Sequence, residues 1–131
     1  MTDETIKNTS KIKENARLRV YISGPITGRD FRKVCAEFYA VKRRLDLLGL
    51  EVENPLEIDV PIHSPHWAYM RADIAKECTC DRIYYIRNWR RWFSLGVWQE
   101  RFVAWAIGLP RLREKDLRKM EDEQKVRNLL P

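Results

Sequence analysis

Apolar positions along this chain follow two periods in turn. Residues 18–23, LRVYIS, form a β-branched and aromatic run that meets Gly24-Pro25, the pattern of a strand entering a turn. From Phe31 the period lengthens: Phe31, Val34, Phe38, Val41, Leu45 and Leu48 recur at spacings of three and four, one stripe of an amphipathic helix. Asp30 is placed to cap its start, and Gly49 to end it in a left-handed conformation. Residues 50–52 predict a short second strand, stopped at Asn54-Pro55 because proline cannot donate to a sheet ladder. After a polar loop, Trp67, Met70, Ile74 and Cys78 mark one face of a second helix, and 83–86 reads as a third strand.

The next helix, about 95–107, is apolar nearly all the way round, which predicts that it is buried. Gly108-Leu109-Pro110 closes it. A short strand is expected at 111–113, and 114–130 reads as a charged helix anchored weakly by Leu117, Met120 and Leu129. Strands alternating with helices predict a single α/β domain, a three-layer doubly wound parallel sheet of the Rossmann or flavodoxin-like kind. It is expected to span 18–113, after a flexible polar leader at 1–17 and before a charged C-terminal helix at 114–131. Such sheets bind ligands outside the carboxyl ends of their strands, here the loops 24–30, 54–66 and 87–94.

Composition narrows the classes. The 131 residues suit one domain, and an apolar fraction of 44% supplies a core. The longest strongly apolar stretch, about 102–109, falls far short of the roughly 20 residues of a membrane helix. With no apolar segment in its first residues to mark secretion, the chain is expected in the cytoplasm. Cys35, Cys78 and Cys80 are odd in number, and Cys78-Thr79-Cys80 has one intervening residue where redox and zinc motifs have two. They read as reduced thiols. His63 and His66 lack further ligands around them, so neither metal nor cofactor is expected. A net charge of +6 attracts phosphates, yet no helix-turn-helix, zinc finger or RNP-type motif accompanies it, which argues against direct nucleic-acid binding.

Glu100 is the most informative residue, because with Arg101 it is the only charge inside the apolar 95–109 segment. A buried carboxylate needs a reason, and the sequence leaves three open: a catalytic site, a salt bridge to an arginine, or a subunit contact. One turn earlier, Ser94-Leu95-Gly96 forms a helix entrance able to hold a phosphate or sugar oxygen. Asp73 lies beside the apolar face of the second helix, either bordering a pocket or paired with Arg71 or Lys76. Tyr21, on the first strand opposite in face to Val20 and Ile22, has a hydroxyl that either binds a carboxylate or is satisfied in the core. The turn Ser23-Gly24-Pro25-Ile26-Thr27-Gly28-Arg29 offers glycines, hydroxyls and a cation to an anionic or hydroxylated ligand, without the spacing of a nucleotide motif. Trp89, Trp92 and Trp98 are either base-stacking platforms or core.

In this order, Tyr21-Ile22-Ser23-Gly24-Pro25-Ile26-Thr27-Gly28, Glu53-Asn54-Pro55, Tyr69-Met70-Arg71-Ala72-Asp73, Cys80-Asp81-Arg82-Ile83-Tyr84, Ser94-Leu95-Gly96-Val97-Trp98-Gln99-Glu100 and Ala106-Ile107-Gly108-Leu109-Pro110 resemble the nucleoside 2-deoxyribosyltransferase superfamily. The closest likeness is to a small uncharacterised branch related to the deoxynucleoside monophosphate N-glycosidases. The resemblance implies that Glu100, four residues after Gly96, is a nucleophile, that Tyr21 orients it, and that Asp73 meets the base. Ser23 to Arg29, Asn54, Trp89, Ser94 and Gly96 would then bind the substrate, a nucleoside or nucleotide. The implied reaction is attack on the anomeric carbon, a glycosyl-enzyme intermediate, and release to a second base or to water.

One departure stands out. The superfamily's Asp-Ser-Gly entrance, which contacts sugar hydroxyls, here reads Phe93-Ser94-Gly96 with Leu95 inserted. The basic loop Asn88-Trp89-Arg90-Arg91 favours a phosphorylated substrate, held by Arg29, Arg90 or Arg91. Three functions are consistent with these residues: a deoxyribosyl transferase, a nucleotide N-glycosidase, and a non-catalytic nucleotide-binding module. A homo-oligomer is expected, since Trp98, Phe102 and Trp105 cannot all pack inward from one helix and the superfamily completes each site with a neighbouring subunit.

Overall fold

The computed structural model describes residues 18–86, 88–91 and 93–130. The leader expected at 1–17, together with Arg87, Trp92 and Pro131, lies outside the described residues. Among the described residues the strands and α-helices are β1 (Arg19–Ser23), α1 (Phe31–Leu47), β2 (Glu51–Glu53), α2 (His66–Glu77), β3 (Arg82–Tyr85), α3 (Leu95–Ala106) and α4 (Glu114–Leu129), with 3₁₀ turns at Pro55–Glu57 and Trp89–Arg91. The sheet is parallel with strand order β2-β1-β3. In the register of the central strand, Tyr21 lies between Glu53 and Ile83, and Ser23 lies beside Tyr85.

Alternation along β1 divides the core into two layers. Val20 and Ile22 face one side, where Val34, Phe38, Val41 and Leu45 of α1 and Leu117 of α4 cover them. Tyr21, with Ile83 and Tyr85 of β3, faces the other, against Val97 and Ala104 of α3. This is the α/β fold with helices on both faces of a parallel sheet that the strand-helix alternation predicts.

Local signals behave as their chemistry requires. The Asp30 side chain accepts the Arg32 N–H at 3.0 Å and caps α1, while Gly49 takes φ +78° just beyond its end. The strand expected at 111–113 reduces to a single bridge between Ile83 and Arg111, because the chain leaves Pro110 and turns at once into α4. That helix is clamped to the body by Arg44, which pairs with Glu114 and Glu121 at 2.9 and 2.5 Å, and by the Tyr84 hydroxyl, which donates to Glu114 at 2.6 Å. Of its three expected anchors, Leu117 is buried and Met120 packs on the core, but Leu129 is exposed.

Two helical faces differ from the expectation. On α2, Trp67 and Cys78 are exposed and the buried residues are Met70 and Glu77. The inward stripe is Met70, Asp73 and Glu77, rotated from the one expected, so two carboxyl groups turn toward the Tyr21 face. On α3, only Val97, Glu100 and Ala104 are buried, while Trp98, Phe102 and Trp105 remain 45%, 66% and 77% exposed. A single helix over one sheet face has one inward stripe, and nothing among the described residues covers the remaining apolar side chains.

Candidate active site

The carboxyl ends of β1 and β2 open into a cavity of about 620 Å³ between the β1–α1 turn, the 3₁₀ turn Pro55–Glu57, α2 and the start of α3. Its polar wall includes Asp73, Glu100, Ser94 and His66; Phe31, Leu56, Ile58, Phe93 and Leu95 supply apolar surface. The helix start of α3 is held by the Ser94 hydroxyl, which accepts the Val97 N–H at 3.3 Å. A side chain at Gly96 would meet the Met70 sulfur at 3.4 Å, so the glycine lets α3 close onto α2. Gly24 is still tighter, since an added Cβ would lie 3.1 Å from Ile86.

Glu100 projects from α3 across the end of β1 and is 4% exposed. The Tyr21 hydroxyl donates to its Oε2, and the Ser23 hydroxyl donates to its Oε1 at 3.0 Å. Burial pushes its carboxyl up to about 8 against the opposing pull of the Tyr21 hydrogen bond, with Asp73 and Glu77 adding to the rise. Tyr21, itself desolvated and facing Glu100, is raised far above the ordinary phenol range and keeps its proton. It is therefore a fixed donor to the carboxylate. Among the described residues Glu100 has no cationic partner: the neighbouring Arg101 lies instead over the rings of Trp89 and Trp98, at 5.1 and 5.3 Å.

Asp73 borders the same cavity, half-buried and pushed up to about 6 by desolvation, which His66 opposes. No ion pair to Arg71 or Lys76 forms among the described residues; Arg71 stacks on Trp67 at 5.2 Å. The structure thus gathers Glu100, Asp73, Tyr21, Ser23, Gly24, Ile26, Thr27, Ser94 and Gly96 at one place.

The other expected residues are placed differently. Arg29 is engaged by both oxygens of Glu37, at 2.9 and 2.7 Å, and by the Pro25 carbonyl at 2.9 Å, so the turn cation closes a local clasp. Pro25 is buried, and Gly28 sits in an exposed left-handed turn at φ +79°. Asn54 is buried below the rim, where its side-chain oxygen caps the 3₁₀ turn through the Leu56 N–H at 3.0 Å. Trp89 packs between Tyr85 and Trp98, at 5.2 and 5.4 Å, away from the cavity. The aromatic side chains that do line it are Phe31, Tyr69 and Phe93.

Glu77 was not anticipated as a functional group. It is fully buried, neither carboxyl oxygen has a hydrogen-bond partner among the described residues, and desolvation with the nearby Asp73 charge pushes it up to about 8. Its spacing, four after Asp73 and seven after Met70, was the available signal. Three carboxyl groups with raised affinity for protons therefore share the α2–α3 side of the sheet. Among the described residues no group of three or more His, Cys, Asp or Glu could hold a metal ion, and the three cysteines are free.

Residues 18–112 match the family described as a domain of unknown function, DUF4406. The chain belongs to that family. No curated protein matches the sequence of this DUF4406 domain. A conserved protein from Enterococcus faecalis V583, known from its crystal structure, is similar in fold at 21% identity and a TM-score of 0.56. The alignment covers 74% of this chain and 62% of that one, so the DUF4406 chain spans less than two thirds of its structural neighbour. No helix of the described residues is long and apolar enough to cross a membrane.

Proposed function

We propose that this domain cleaves or transfers at the N-glycosidic bond of a (deoxy)nucleoside or its 5′-monophosphate, with Glu100 as nucleophile. The observation that carries the reading is the Glu100 carboxyl, buried at the strand ends, held by Tyr21 and Ser23, and facing a cavity it shares with Asp73. A carboxylate in that position attacks the anomeric carbon; the C–N bond breaks and its electron pair goes to the base nitrogen, which takes a proton from Asp73. Water or a second base then attacks the glycosyl ester and releases Glu100. Exclusion of water by the ligand pushes Asp73 further upward and keeps it protonated for that step.

Developing positive charge on the sugar favours ionised Glu100, and the Tyr21 and Ser23 hydroxyls stabilise the same form. Phe31 and Phe93, exposed at the cavity, supply stacking surface for a base. With Arg29 committed to Glu37 and His66 the only basic residue among the described lining, an unphosphorylated nucleoside fits the cavity better than its monophosphate. The same reading makes the protein a cytoplasmic homo-oligomer that needs no cofactor.

Incubation with deoxynucleosides and their monophosphates, with and without a second free base, tests the proposal. Free base without exchange marks a hydrolase, and an exchanged nucleoside marks a transferase. Tight binding with neither product would overturn it in favour of a non-catalytic nucleotide-binding module.

A further inference from the structure

Arg90 and Arg91, expected at the substrate pocket, stand elsewhere. Arg90, Arg91 and Arg111 line a separate depression of about 360 Å³ beside the end of β3, floored by Tyr84, Tyr85 and Trp89. None of its lining residues belongs to the Glu100 cavity. Arg111 lies over the Tyr85 ring at 5.2 Å and Arg90 over Trp89 at 5.1 Å. Each guanidinium laid on an aromatic face loses rotamer freedom, while its hydrogen-bonding edge stays open to solvent.

Three like charges around one depression repel one another and call for an anion. The acid on its rim, Glu114, is already bound by Arg44 and Tyr84. Among the described residues, none of the three arginines pairs with a carboxylate within 4.0 Å. We infer that this depression is an anion site for phosphate groups, with Arg90, Arg91 and Arg111 supplying forked donors to the oxygens. Phosphate suits it better than an acidic peptide, because three forked donors around one small hollow can share the several oxygens of a single phosphate group, whereas a carboxylate offers only two. The inference does not rest on the chemistry proposed for Glu100.

Calorimetric titration of the full chain with inorganic pyrophosphate, a single-stranded deoxyoligonucleotide and succinate tests it. Binding of pyrophosphate alone identifies a small phosphate ester as the ligand, binding of the oligonucleotide alone identifies a phosphodiester chain, and binding of both identifies the phosphate group itself; each supports the site. Arg91→Gln and Arg111→Gln are each expected to weaken that binding about tenfold, the scale of one lost charge-assisted contact, with Glu100→Gln leaving it unchanged. Should Arg111→Gln fail to fold, Arg91→Gln decides. Succinate binding as tightly as pyrophosphate, no binding of either phosphate probe, arginine variants indistinguishable from the wild type, or equal weakening by Glu100→Gln would each overturn the inference.

Discussion

Tyr21 and Glu100 are 79 positions apart in the chain, yet the tyrosine hydroxyl donates directly to the glutamate carboxyl beneath the cavity. Each comes from a rigid element, the central strand β1 and the helix α3, so the pair is set by the packing of helix on sheet rather than by a loop. Ser23, two residues farther along β1 on the same face, supplies the second donor, as strand alternation requires. With both donors from one strand and the acceptor from one helix, the carboxyl is oriented before any ligand arrives.

Replacing the acceptor is the first test of that arrangement. Glu100→Ala is expected to lower any glycosidic activity about a thousandfold or more while the domain stays folded, since the side chain removed is a costly buried carboxyl with no ion partner among the described residues. Circular dichroism reports the fold and release of free base the activity. A variant that keeps wild-type turnover would remove the covalent mechanism.

The pH profile offers a second. Activity needs Asp73 protonated and Glu100 ionised, and these groups titrate at about 6 and about 8. For such a pair the competent form is a minority whose abundance is bell-shaped, with limbs at the two values and a maximum near about pH 7. Tyr21→Phe removes a hydrogen bond that lowers the Glu100 value. The alkaline limb of kcat/KM should therefore move to higher pH and the maximum should fall, because the ionised form becomes rarer. Limbs unmoved by the substitution would show that Tyr21 is only a packing residue.

Much of this was legible in the sequence where one period dominates. The β1 run, the α1 stripe and its Asp30 and Gly49 signals, and the isolated Glu100 all read directly from residue type and spacing. The inward face of α2 was not legible, because its stripe of Met70, Asp73 and Glu77 contains two carboxyl groups that a hydrophobic pattern assigns to solvent. That Trp89 packs in the core while Phe93 borders the cavity was hidden for a related reason. Size and aromaticity do not say which ring packs on Tyr85 and which borders the cavity, and that depends on how the chain from β3 to α3 turns back. Arg29 had an acid eight residues away that closes on it only once α1 forms.

The Glu77 carboxyl makes stability depend on pH. Its value in the folded state, about 8, lies above the roughly 4.3 of an unfolded glutamate, so the native state binds its proton more tightly. That contribution is complete below the unfolded value and is lost as pH rises toward about 8. Wild-type stability should accordingly fall between about pH 5 and 9, and Glu77→Gln should flatten the fall by roughly 2 kcal/mol, with the smallest difference at the acid end. Urea denaturation at pH 5, 7 and 9 measures it. A fall of equal size in both proteins would mean that Glu77 is compensated by a partner outside the described residues.

The last prediction concerns the uncovered face of α3. Trp98, Phe102 and Trp105 remain largely exposed, and Phe102 and Trp105 stack at 6.0 Å between centroids to form one continuous apolar surface. The tail cannot cover them, because α4 packs through Leu117 on the opposite side of the sheet, against α1. A patch of this kind on a soluble chain is normally buried in a partner, and a second copy of α3 is the simplest surface of matching character. Light scattering at micromolar concentration should give at least twice the 15.7 kDa of one chain, and Phe102→Asp with Trp105→Glu should return it to the single-chain value. A wild-type mass of one chain, with the patch exposed and the protein soluble, would refute the assembly.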